Sequence, residues 1–191
     1  MNSKKINWPV FILLFVLLSC NTSSGKENQE NTAQQNWKQQ FDKTLPLLGH
    51  RNWILVVDKA FPEQNAIGME YINTNENLLS VLEYVLAQVN KSTHVKPIIY
   101  TDKELSFITE EQSKGVKHFA ETSQKIFGNK NVNTLLHDSV FTKLDSESKL
   151  FKVLVIKTNE IIPYTSVFLQ LDCAYWNGEQ ESQLRATMKK E

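Results

Sequence analysis

The sequence has few cysteines, no block of positive charge, no internal repeat and no second long apolar run. Its 191 residues include two cysteines, Cys20 and Cys173. Two thiols this far apart give neither a disulfide framework nor a CxxC metal knuckle. Lys and Arg number 21 against 21 Asp and Glu, and they form no extended basic block. That excludes a nucleic-acid binder, because neutralising phosphates takes grouped positive charge. Beyond the N-terminus no stretch approaches the roughly 18–20 apolar residues needed to span a bilayer. What is present argues for a packed domain: apolar residues make up 41% and aromatics 10% of the chain, too much for disorder.

The one conspicuous apolar run lies at the start. Lys4 and Lys5 precede Val10–Leu18, and Ser19-Cys20 follow. A charged start with a short apolar centre is the pattern of a secretory signal. Leu17-Leu18-Ser19-Cys20 resembles the bacterial lipobox, in which cleavage precedes a cysteine that is then diacylated. Residues 1–19 are expected to be the signal, with Cys20 the lipidation site. Two or more acyl chains suffice for stable anchoring. The protein is thus expected to be a bacterial membrane-anchored lipoprotein, periplasmic or at the cell surface. Loss of 1–19 removes two lysines and no acid, leaving 19 basic and 21 acidic groups. Residues 20–35 are polar, without apolar periodicity, and read as a flexible tether. The domain is placed at 36–176 and a polar tail at 177–191.

Within the domain, Trp37, Phe41, Leu45 and Leu48 recur at helical spacing and Gly49 ends the run. Trp53–Val57 is continuously apolar, as in a strand covered on both faces, and Asp58 closes it. Residues 67–72 predict a second strand and 76–89 an amphipathic helix. Val95–Tyr100 predicts a strand whose Pro97 favours a sheet edge. Thr109–Phe127 predicts a helix opened by the capping box Thr109-Glu110-Glu111-Gln112, interrupted by Gly115 and stopped by Gly128, and 135–151 a further, mostly helical segment. Val153–Lys157 and Val167–Cys173 predict the last two strands. Alternating helices and apolar strands make an α/β fold, a single domain with a mostly parallel central sheet flanked by helices. In such sheets sites collect at the carboxyl ends of strands, which draws attention to Asp58 and to the turn Pro163-Tyr164-Thr165-Ser166. Cys173, in an apolar strand, is expected to be an inert buried thiol, and His94 and His118 to be surface positions.

Three segments carry a family resemblance. They are Gly49-His50 with Asp58 eight residues after the histidine, the loop Phe61-Pro62, and Pro163-Tyr164-Thr165-Ser166 leading into the last strand. Together they resemble the D-ribose pyranase / L-fucose mutarotase (RbsD/FucU) family, over roughly residues 36–176. The resemblance implies a cofactor-free, metal-free isomerase of monosaccharides, acting by acid/base opening of the sugar ring, on subunits that form ring-shaped homo-oligomers with sites completed by a neighbour. It assigns His50 as general acid/base, Asp58 as orienter or hydroxyl acceptor and Tyr164 as donor. Ser166 falls where the family has an asparagine and is expected to be a secondary substrate contact. His137 is the nearest candidate for the further histidine of the ribose branch, at a longer spacing to Tyr164. Residues 101–136 align with nothing in the family. The alternative is a lipoprotein of the same fold that binds a sugar or metabolite without turning it over.

Overall fold

The structure, a computed structural model, describes residues 37–189. The expected signal, Cys20 and the tether lie outside the described residues. Among the described residues no helix is long and apolar enough to cross a membrane.

Helix α1 is described over 37–44 and passes into a 3-10 turn, Leu45–Leu47, at Pro46. The chain then forms β1 (Trp53–Val57), β2 (Met69–Asn73), α2 (Leu78–Lys91) and β3 (Val95–Asp102). A 3-10 turn (Lys103–Phe107) leads to α3 (Val116–Phe127), β4 (Val132–Leu135) and α4 (His137–Glu147). Strands β5 (Val153–Lys157) and β6 (Val167–Cys173) precede α5 (Gly178–Met188). The six strands form one sheet in the order β2-β5-β1-β6-β3-β4. Five strands run parallel, and β6 is antiparallel to both of its neighbours, β1 and β3.

The continuous apolar run of β1 is buried along its whole length because both sheet faces are covered. Side chains alternate between faces, so Ile54 and Val56 join the layer of α1, α2 and α3, including Trp37, Phe41, Leu82 and Phe119. Trp53, Leu55 and Val57 face the other side, with Phe61 and with Val140 and Leu144 of α4. Burying each such side chain contributes about 1.5–3 kcal/mol. Helix α5 buries none of its residues. It is held by a capping box between Asn177 and Gln180.

Three expectations are corrected. Pro97 does not mark a sheet edge, since β3 lies between β6 and β4. The register with β4 begins only at Ile99, so Pro97 sits where that flank of β3 has no partner and its missing N–H costs no ladder bond. Thr109 and Gln112 do exchange reciprocal hydrogen bonds, but these close a turn. Helix α3 starts only after Gly115, which adopts φ +88°, a left-handed conformation that interrupts a right-handed helix. Strand β4 was absent from the expected elements, and the helix placed at 135–151 occupies His137–Glu147.

Gly68 sits where β2 meets the end of α4. A Cβ there would land on the carbonyl oxygens of Ser148 and Phe151, while the Gly68 carbonyl accepts from the Val153 N–H. Backbone on two sides cannot rotate away. G68A is expected to cost about 3 kcal/mol by overpacking, lowering the thermal midpoint by about 2–4 °C per kcal/mol. A calorimetric scan with an unchanged midpoint would contradict this packing.

Candidate active site

Because β6 runs against its neighbours, its beginning lies beside the carboxyl ends of β1 and β3. The turn Pro163–Ser166 is thereby delivered to the place where Asp58 leaves β1 and Asp102 ends β3. Strand β4 pairs with the end of β3, Asp102 opposite Leu135. His137, two residues on, therefore opens α4 in the same place.

Asp58 is half-buried and tightly held. Its Oδ2 accepts from the Ser166 hydroxyl at 2.9 Å, and its Oδ1 accepts from the Ala60 N–H at 2.9 Å. The Asp58 N–H in turn donates to Ser166 Oγ at 3.2 Å. Each carboxylate oxygen keeps a free lone pair for a ligand hydroxyl. Ser166 is buried, and its hydroxyl hydrogen is spent on Asp58. It holds Asp58 in place through both bonds.

Tyr164 adopts φ +60°, an uncommon conformation for a side chain of this size. The turn is pinned by Thr165, whose hydroxyl donates to the Ile162 carbonyl at 2.7 Å. Tyr164 meets the His137 ring edge-on, with centroids 5.2 Å apart. Phe141 lies 4.8 Å from the same imidazole and stacks on Phe61 at 5.4 Å. Asp58, Phe61, His137, Phe141 and Tyr164 share the lining of a cavity of about 250 Å³. A second recess of about 440 Å³, lined by Glu104, Phe107 and Tyr164, lies on the far side of the tyrosine.

Behind the cavity, His137 Nδ1 lies 2.9 Å from Asp102 Oδ2. The Asp102 side chain is 0% exposed, and its Oδ1 has no hydrogen-bond partner. Burial pushes its carboxyl up to about 6, against the opposing effect of the bond to His137. The His137 N–H donates to both oxygens of Glu104, at 3.1 and 3.2 Å. Among the described residues no group of three or more His, Cys, Asp or Glu side chains could hold a metal ion.

No protein-family model matches the chain, and no curated protein does. Solved structures do. The fucose mutarotase of Streptococcus pneumoniae, in complex with L-fucose, matches with a TM-score of 0.51 at 14% identity, covering 73% of this chain and 95% of that one. The fold is RbsD/FucU-like. Bacillus subtilis RbsD complexed with D-ribose gives 0.49 at 20% identity, with 70% and 91% covered. FucU from Bifidobacterium longum gives 0.48 at 15% identity, with 70% and 94% covered.

On this RbsD/FucU-like fold His50 does not join Asp58. It precedes β1 whereas Asp58 follows it, and an extended strand of that length separates them by about 20 Å. His50 Nδ1 instead lies 3.2 Å from Asp172 at the far end of β6, and its Nε2 accepts from Arg51 at 3.2 Å. His94 is half-buried, bridging Ser92 and the Leu48 carbonyl at 2.8 and 3.0 Å. His118 is exposed. Cys173 is a free thiol, half-buried rather than fully enclosed. Asp102 and Glu104 were not legible in the sequence: Asp102 is the last residue of β3, a strand of mixed polarity, whereas Asp58 follows the continuous apolar run of β1.

The buried carboxyl sets a pH dependence. Below about pH 4 Asp102 is protonated folded or unfolded. As pH rises towards 6 the unfolded chain releases this proton first, so the folded state loses relative stability across that window. D102N removes the titration. Its midpoint is expected to match wild type near pH 3.5 and to exceed it by several degrees, roughly 2–4 °C per kcal/mol, at pH 7. Parallel melting curves at all pH values would refute the assignment.

Proposed function

We propose that the chain is a cofactor-free monosaccharide mutarotase or pyranase, acting at the cavity between Asp58, His137 and Tyr164. The observation that carries this reading is their convergence. One small cavity holds an imidazole, a carboxylate with free lone pairs and a phenol, next to an aromatic wall suited to a sugar's C–H face. Opening a cyclic hemiacetal needs a base for the anomeric hydroxyl and an acid for the ring oxygen, both exchanging protons near neutrality. His137 takes the anomeric proton as C1=O forms and the bond from C1 to the ring oxygen breaks. Tyr164 or the imidazolium returns a proton to that oxygen, leaving an open aldehyde. Reclosure on the other face, or through another hydroxyl, reverses the same transfers. Asp58 accepts sugar hydroxyls and holds the ring in place. The fucose mutarotase of similar fold is in complex with L-fucose, which supports a monosaccharide of that size.

His50 enters this reading only through assembly. It stands at the opposite end of the subunit, so it can act on the sugar only if a neighbouring copy in a homo-oligomer presents it. The lipidated Cys20 would hold such an assembly at a membrane. A binding role without turnover is favoured by one feature: Ser166 supplies no amide to the cavity and is spent on Asp58.

Saturation-transfer NMR on ribose, fucose and galactose measures exchange between anomers and ring forms. The chain is expected to accelerate at least one of them, with H137A and D58A each lowering the rate by about 10²-fold or more. H50A is expected to do the same only if light scattering shows an oligomer. Calorimetric binding without any acceleration would select the binding role. Neither binding nor exchange would reject both.

A further inference from the structure

One short segment grips one histidine twice. Asp102 ends β3 and takes the imidazole Nδ1 at 2.9 Å. Two residues later Glu104 takes the backbone N–H of the same histidine. Helix α4 has Leu136 at its N-cap, which offers no side-chain acceptor, so Glu104 caps it from another element. The ring and the helix end are thus fixed from a single rigid strand terminus.

We infer that Asp102 is a positioning residue for His137, holding the ring as the Nδ1–H tautomer so that Nε2 is the nitrogen left to exchange protons in the cavity. Geometry supports this from three sides. The side chain is wholly buried, and burying a carboxylate is costly unless a partner compensates. Among the described residues its second oxygen has no hydrogen-bond partner, so the bond to His137 is the compensation it receives there. The other groups facing it do not help. Glu104 after β3 and Asp58 after β1 are both acidic, and Tyr164 meets the imidazole ring edge-on. A purely structural site would be filled more cheaply by an apolar residue of similar volume. A hydrogen bond at one ring nitrogen determines the state of the other, and here the acceptor lies at Nδ1. When Nε2 takes a proton, the resulting imidazolium faces a carboxylate already in place.

Only the kinetic part of the test rests on the ring-opening reading. Long-range ¹H–¹⁵N correlation spectra of the full chain report the tautomer directly, with H137Q assigning the signals. At pH 7.5 wild type is expected to show His137 as Nδ1–H with Nε2 unprotonated. In D102A the Nε2–H form, preferred by a histidine side chain free in water, is expected to predominate. The isosteric D102N guards against misfolding. With an accelerated sugar it should lose about 10–100-fold in kcat while KM moves less than about threefold. A wild-type His137 in the Nε2–H form, or an unchanged tautomer in D102A, overturns the proposal. A wild type with the Nδ1–H tautomer that accelerates no sugar upholds the positioning role and defeats the mutarotase reading instead.

Discussion

Everything in the site depends on one antiparallel strand in an otherwise parallel sheet. Strand β6 separates β1 from β3 and pairs with both. Parallel neighbours would place its beginning at the amino ends of β1 and β3, where no site forms. Reversed, it starts where they finish. The turn before it then supplies Tyr164 and Ser166 to the side chains emerging from β1 and β3. The reversal also explains the strain at Tyr164: a chain entering β6 from above must turn sharply, and the positive φ is part of that turn.

The electrostatic arrangement follows from this layout. Three carboxylates, Asp58, Asp102 and Glu104, approach one histidine from strand ends whose backbones fix them. Each is given a partner of its own: Ser166 for Asp58, the imidazole for Asp102 and the helix N-terminus for Glu104. Without those partners mutual repulsion and burial would make the cluster untenable. Asp102 shows the strain that remains, with a carboxyl pushed up to about 6 and an oxygen left bare.

Much of the fold was legible because its strongest signals are local. Trp53–Val57, Val153–Lys157 and Val167–Cys173 were bounded to the residue, since strands covered on both faces leave uninterrupted apolar runs. Strand β4 was not legible. Its four residues, Val132–Leu135, are half-buried or exposed, and a short edge strand carries neither a run nor clean alternation. The site was only partly legible for a different reason. Asp58, Tyr164 and His137 lie at element ends, where sequence points to function. Their meeting is set by the strand order, which no local pattern encodes. The eight-residue spacing of His50 and Asp58 suggested proximity, yet an intervening strand converts close spacing into wide separation. Asp102 lies in the stretch 101–136 that aligns with nothing in the family, and the apolar residues that mark β3 in the sequence stop at Tyr100, two residues before it.

The two ends of the sheet offer an instructive comparison, because each carries a histidine against an aspartate. At the amino end of β1, His50 faces Asp172 with side chains 54% and 32% exposed, and Lys96 shares the carboxylate. Water screens that pair, and such contacts contribute about 0–1 kcal/mol. At the carboxyl end, His137 faces an Asp102 with no exposure and, among the described residues, no Lys or Arg in ion-pair contact. In that low-dielectric setting the same interaction is stronger and the geometry is fixed. A carboxylate that water can solvate gains little by orienting an imidazole. A carboxylate with nowhere else to place its charge must orient it. Burial, rather than residue identity, thus decides which of the two carboxylates holds its imidazole in a fixed geometry within a single subunit.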